Sequence, residues 1–78
     1  MMDIKVLGPG CRNCQTLEQH TREALEALGV EASISKVTDP ADIVGYGVMA
    51  TPALVVDGEV VVSGKVPNVR RLVRLLGT

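Results

Sequence analysis

The sequence predicts an α/β fold, a mixed four-stranded sheet flanked by helices, in the order β-α-β-α-β-β-α. Three observations carry this reading. The chain has 78 residues, 46% of them hydrophobic, with 13 Val, no Phe and no Trp. An aliphatic, Val-rich core suits a sheet. The apolar period alternates along the chain between two residues and three to four, the marks of strand and helix. Finally, Asp57-Gly58 separates two apolar runs, the pattern of a tight β-hairpin. The length fits one domain, 1–78. A chain this short buries only about 60% of its unfolded surface, so modest stability is expected.

Each element has its own signal. Met2-Asp3-Ile4-Lys5-Val6 alternates as a half-buried strand, and Gly8-Pro9-Gly10 stops it. From Cys11 the period becomes helical. Cys14, Leu17, Thr21, Ala24, Leu25 and Leu28 form one stripe. Glu18 and Arg22 stand four apart in the favourable order, and Gly29 suits a left-handed cap. Val30 to Ser35 alternates again, which makes a βαβ unit with parallel strands. Thr38 or Asp39 can cap a short second helix, with Pro40 in its first turn and Gly45 and Gly47 limiting it to about two turns. Ala53–Val56 and Glu59–Val62 flank the Asp57-Gly58 turn, whose positive φ these residues adopt at low cost. Asn68 is the expected N-cap of a last helix, with Val69, Leu72, Val73 and Leu76 inward and Arg70, Arg71 and Arg74 facing water.

The charges nearly balance, eight Lys and Arg against nine Asp and Glu. That argues against nucleic-acid binding, as does the single aromatic residue, Tyr46. No apolar run approaches the roughly 20 residues of a membrane span, and the N-terminus lacks a signal-peptide pattern. A cytoplasmic monomer is expected.

The two cysteines, Cys11 and Cys14, are too few for a multi-bridge secreted framework. Cys11 follows a strand and a turn and precedes a helix. Its sulfur is expected near free backbone N–H groups and the positive end of the helix dipole, and Arg12 adds a neighbouring positive charge. These favour thiolate. A thiol with pKa near 8.5 is only about 3% ionised at pH 7, whereas one at 7 is about half ionised. Cys14 lies one turn later, on the buried stripe. An exposed attacking thiol beside a shielded partner is what thiol–disulfide exchange requires.

Leu7-Gly8-Pro9-Gly10-Cys11-Arg12-Asn13-Cys14, followed by Tyr46-Gly47-Val48-Met49-Ala50-Thr51-Pro52-Ala53-Leu54-Val55-Val56-Asp57-Gly58, resembles the small, glutaredoxin-sized prokaryotic thioredoxin-like proteins. The resemblance extends over nearly the whole chain. It implies a thioredoxin-like fold and a protein-disulfide oxidoreductase working through a Cys11–Cys14 dithiol/disulfide, with no bound cofactor. In that family the proline matching Pro52 is cis and packs beside the disulfide. The residue before it, here Thr51, offers its backbone to a substrate segment. Carried over, Cys11 and Cys14 are the catalytic residues, Thr51 and Pro52 bind substrate, and Gly10, Arg12 and Asn13 support the site. Disulfide-containing proteins are the implied substrates and a thioredoxin reductase-like protein the implied reductant. Relatives often carry Pro between the cysteines where this chain has Arg12-Asn13, which bears on reduction potential. Gly64-Lys65-Val66-Pro67-Asn68 only partly matches the region where glutaredoxins hold glutathione.

Two competing readings exist for the cysteine pair. One is a Cu(I) or zinc chaperone using both thiolates. Copper-chaperone domains usually have Met two residues before the first Cys, where this chain has Pro9, and they end in a strand rather than a helix. Two sulfurs alone do not complete a four-ligand zinc site. The other reading is an interaction module that senses redox state. Among the remaining residues, His20 is expected at the boundary of the first helix's stripe. Tyr46 either shields the disulfide or caps the core. Met49 is expected in packing, and the final Arg cluster on a solvated helix face.

Overall fold

A computed structural model describes residues 2–77. Seven elements follow one another: β1 (Met2–Leu7), α1 (Arg12–Leu28), β2 (Ala32–Val37), α2 (Pro40–Gly45), β3 (Ala53–Val56), β4 (Glu59–Ser63) and α3 (Val69–Leu76). This is the order the periodicity predicts. The strands form one sheet in the order β2-β1-β3-β4. β1 and β2 run parallel, with Met2 opposite Ala32 and Leu7 opposite Val37. β3 is antiparallel to β1 and to β4. Asp57 and Gly58 both take positive φ, 51° and 85°, as the two-residue turn demands. The register of β3 with β4 shifts after Leu54, where Val62 and then Val60 are the partners and Val61 is the extra residue of a bulge.

β2 begins two residues later than its alternation suggests. Gly29 takes a left-handed φ of 67° and its N–H bonds Glu26 O, while the Val30 N–H bonds Leu25 O. This pair of bonds closes α1. Val30 is therefore spent on the helix end and does not join the sheet.

The alternation of β1 divides the core between two faces. Ile4 and Val6 meet Leu17, Ala24 and Leu25 of α1 and Leu72 and Leu76 of α3, together with Leu54 and Val62. Leu7 points the other way, against Ile43 of α2 and Ala53 and Val55 of β3. Leu17, Leu54 and Leu72 are fully buried, each stabilising the fold by about 1.5–3 kcal/mol. Of the α1 stripe, Leu28 alone is only half-buried. The one buried polar side chain among the described residues, Thr21, donates its hydroxyl to Leu17 O at 2.7 Å. Asp39 caps α2 through the Ala41 N–H, and Asn68 caps α3 through the Arg71 N–H. Both assignments follow from the rule that a short polar side chain replaces the missing helical acceptor.

Candidate active site

The site forms where β1 hands over to α1. Gly10, at φ 86°, turns the chain and leaves Cys11 as the N-cap of α1, with φ −70° and ψ 171°. An N-cap side chain normally offers oxygen to the first free N–H groups. Here the acceptor is sulfur: Cys11 Sγ takes the Cys14 N–H at 3.3 Å. The two sulfurs are 2.7 Å apart. Cys11 is exposed, whereas Cys14 is 5% exposed.

These surroundings push the two thiols in opposite directions. The Cys14 thiol and then the Cys14 backbone N–H both favour charge on Cys11, which holds its pKa below the ordinary thiol value. Burial is the main cause that raises Cys14, followed by its hydrogen bond to Cys11. Arg12 is not among the main causes of the lowering at Cys11, contrary to the expectation from its position. Its side chain is exposed, and its carbonyl accepts the Thr16 hydroxyl at 2.9 Å. Asn13 is also exposed and acts on Cys11 through its backbone.

Two glycines frame the site for steric reasons. A Cβ built on Gly8 would overlap Cys14 Sγ and would stand 3.9 Å from Pro52 Cα. Gly8 thus lies between the buried sulfur and Pro52. Gly64, at φ 70°, would place a Cβ 2.8 Å from the Cβ of Ala50. Its N–H donates to Pro52 O at 2.8 Å, and the Ser63 hydroxyl reaches Ala50 O at 3.5 Å. The end of β4 therefore holds the segment Ala50–Pro52, whose Pro52 lies across Gly8 from Cys14 Sγ. Pro52 is buried, Thr51 is exposed, and the bond between them is cis.

Behind Cys14 a cleft of about 40 Å³ opens toward β2, lined in part by Gly8, Gly10, Cys14, Glu18 and Lys36. Glu18 bonds Lys36 Nζ at 3.0 Å and Arg22 at 2.9 Å, so Lys36 and then Arg22 hold its carboxyl below the usual range. The Arg22 pair follows from spacing along α1. The Lys36 pair joins residues of different elements, and only the parallel alignment of β2 brings it there.

The roles of Gly8 and Gly64 are not legible in the sequence. Gly8 reads as part of a strand-breaking turn, and a glycine kept for space has the same letter as one kept for a turn. Met49, expected in packing, is 99% exposed, because the loop before β3 carries it away from both cores. Tyr46 packs with Leu7, Ile43 and Val55, so it caps the core under α2. His20 sits at the boundary as expected, half-buried, its Nδ1 donating to Pro67 O at 2.9 Å. Among the described residues, no group of three His, Cys, Asp or Glu side chains gathers as a metal site would need. No described helix is long and apolar enough to cross a membrane.

A family model described as Thioredoxin domain matches residues 2–77. The chain is 40% identical over 76 residues to a protein named Thioredoxin from Methanothermobacter thermautotrophicus, covering 97% of this chain and 99% of the relative. It is 36% identical over 72 residues to a protein named Thioredoxin from Methanocaldococcus jannaschii, covering 92% of this chain and 83% of the relative.

Proposed function

Since the chain belongs to the thioredoxin domain family and is a thiol–disulfide oxidoreductase, we propose a division of labour within that chemistry: Cys11 attacks and Cys14 resolves. The observation that carries this reading is the contrast at the start of α1, where an exposed sulfur caps the helix and a buried one lies a turn inside. The Cys11 thiolate attacks one sulfur of a substrate disulfide. A Cys11–substrate bond forms, and the other substrate sulfur leaves with the bonding electron pair and takes up a proton. Cys14 then loses its proton and attacks Cys11 Sγ. The mixed disulfide breaks, the second substrate thiol leaves, and Cys11–Cys14 is oxidised. Two electrons have passed to the substrate.

The backbone of Thr51, an exposed residue, is the proposed docking edge for an extended substrate segment, with buried Pro52 as the proposed wall beside the sulfurs. Gly10 supports the site by making the turn that delivers Cys11. Arg12 and Asn13, between the cysteines, tune the reduction potential. The substrates are disulfide-bearing proteins, and a thioredoxin reductase-like protein restores the dithiol. A dithiol working in the reducing direction suits the cytoplasm, and the chain is proposed to act there as a monomer.

The test is stoichiometric. The fully reduced protein is mixed with a disulfide-bonded test protein, and thiols and products are counted by mass. One Cys11–Cys14 disulfide formed per disulfide reduced is the expected result. Persistence of both thiols beside an unreduced test protein contradicts the reading.

A further inference from the structure

The exchange mechanism above uses none of the basic residues of α3 and the loop before it, and these residues are segregated from the acidic ones. Residues 60–78 carry Lys65, Arg70, Arg71 and Arg74 and no acidic residue, whereas residues 1–59 carry four cations against nine acids. Lys5, Arg22 and Lys36 each meet a carboxylate. Among the described residues, no such pair holds Lys65, Arg70, Arg71 or Arg74, and all four are exposed.

Two of them border a groove. Val61, Val62, Ser63, Lys65, Arg71 and Leu75 line a depression between β4 and α3. Its floor is aliphatic and its rim carries two cations. β4 is an edge of the sheet, so one side of its backbone has no strand partner, and such an edge accepts an extended segment. The groove is also tied by hydrogen bonds to the segment that carries Thr51 and Pro52. At its Ser63 end the Ser63 hydroxyl reaches Ala50 O, and the neighbouring Gly64 N–H bonds Pro52 O.

We propose that this groove docks an acidic, extended segment of the disulfide-bearing substrate protein, its apolar side chains on Val61 and Leu75 and its carboxylates on Lys65 and Arg71. The proposal rests on the exchange reading above and adds a substrate class to it: proteins whose disulfide lies beside an acidic stretch. A polynucleotide fits less well. Single-strand sites stack bases on aromatic rings, and Tyr46, the sole aromatic, packs under α2 on the opposite face of the sheet.

Two synthetic peptides provide the test. Each is closed by one intramolecular disulfide and flanked either by four Glu or by four Gln. The rate at which the reduced protein opens each is measured at low and at high salt. The Glu peptide is expected to react about tenfold faster at low salt, as steering of opposite charges does. The advantage should fall below about twofold near 1 M salt, where the screening length is about 3 Å. Replacing the two rim cations together, Lys65→Gln with Arg71→Gln, should bring the ratio close to one at low salt. Lys5→Gln with Arg22→Gln removes the same charge elsewhere and should keep it. Equal rates for both peptides with the native protein overturn the docking and leave the exchange reading intact, as does an equal loss in the two double variants. Reduction of neither peptide overturns the exchange reading and this proposal with it. A single-stranded oligonucleotide that blocks the Glu peptide at lower concentration than free Glu peptide does would reassign the groove and overturn the proposal.

Discussion

The α1 side of the site supplies sulfur, the β3 side supplies backbone, and each depends on a glycine for its spacing. On the first side, Gly8 leaves room for Cys14 Sγ. On the second, Gly64 leaves room for Ala50 and bonds Pro52 O. Both are steric devices, and in the proposed mechanism they govern different steps: the Gly8 contact bears on the proposed attack by Cys14, and the Gly64 contact on the segment proposed to receive the substrate. Single substitutions should therefore separate chemistry from docking.

The two sides should differ most at the sulfurs. Cys11→Ser should reduce exchange to the background rate, because no other exposed thiolate replaces it. Cys14→Ser should still allow the first attack and then stop, leaving a mixed disulfide on Cys11 that mass spectrometry detects. A substrate trapped on Cys14 in the Cys11→Ser protein, at a similar rate, would reverse the two roles. Next comes Gly8→Ala. The added methyl must displace Cys14 Sγ or the adjacent backbone, and overpacking of this kind costs about 1–3 kcal/mol. If most of that falls on the second attack, release of the second substrate thiol slows by about tenfold. Alkylation of Cys11 should change much less. Stopped-flow measurement of the two steps distinguishes them.

Gly64→Ala sharpens the other side. Its left-handed φ of 70° costs an alanine about 1–2 kcal/mol, apart from the collision with Ala50. Displacement of Ala50–Pro52 should raise KM for a protein disulfide several-fold while the pH profile of Cys11 alkylation stays in place. A changed profile with an unchanged KM would show that the two sides are not separable.

The smallest effect is expected at Glu18, which touches neither step. Lys36 and Arg22 hold its carboxyl low, but both are more than half exposed, so solvent screens the pairs. Glu18→Gln should lower stability by about 0.5 kcal/mol at pH 7. Because the folded carboxyl is depressed, its contribution is complete above the unfolded carboxyl pKa. It disappears as pH falls through the folded value. Denaturant midpoints of the native and Glu18→Gln proteins should therefore converge on acidification.

Most of the fold was legible because local signals and tertiary structure agree. The stripe from Cys14 to Leu25, the Asn68 cap and the Asp57-Gly58 turn each report their own environment. Local alternation starts β2 two residues early, at Val30, because it does not register the closing bonds of α1 that reach Val30. The exposure of Met49 is not legible, because a hydrophobic letter in a loop says nothing about which way the loop carries it. Within the site, the cysteine spacing and Thr51-Pro52 are visible as motifs. The functions of Gly8 and Gly64 are not, since each exists only against a side chain more than five residues away in sequence. The Lys36–Glu18 pair is hidden for the same reason.

One turn of helix divides two chemically identical thiols. Site-resolved alkylation of the reduced protein, followed by mass spectrometry across the pH range, tests this division most directly. Cys11 should label first, with a midpoint below that of an ordinary thiol, because its sulfur accepts the Cys14 thiol and N–H. Cys14 should label later and with a midpoint above the ordinary value, because burial disfavours its charge. Equal labelling of both at an ordinary thiol's midpoint, or labelling of Cys14 first, would contradict the account.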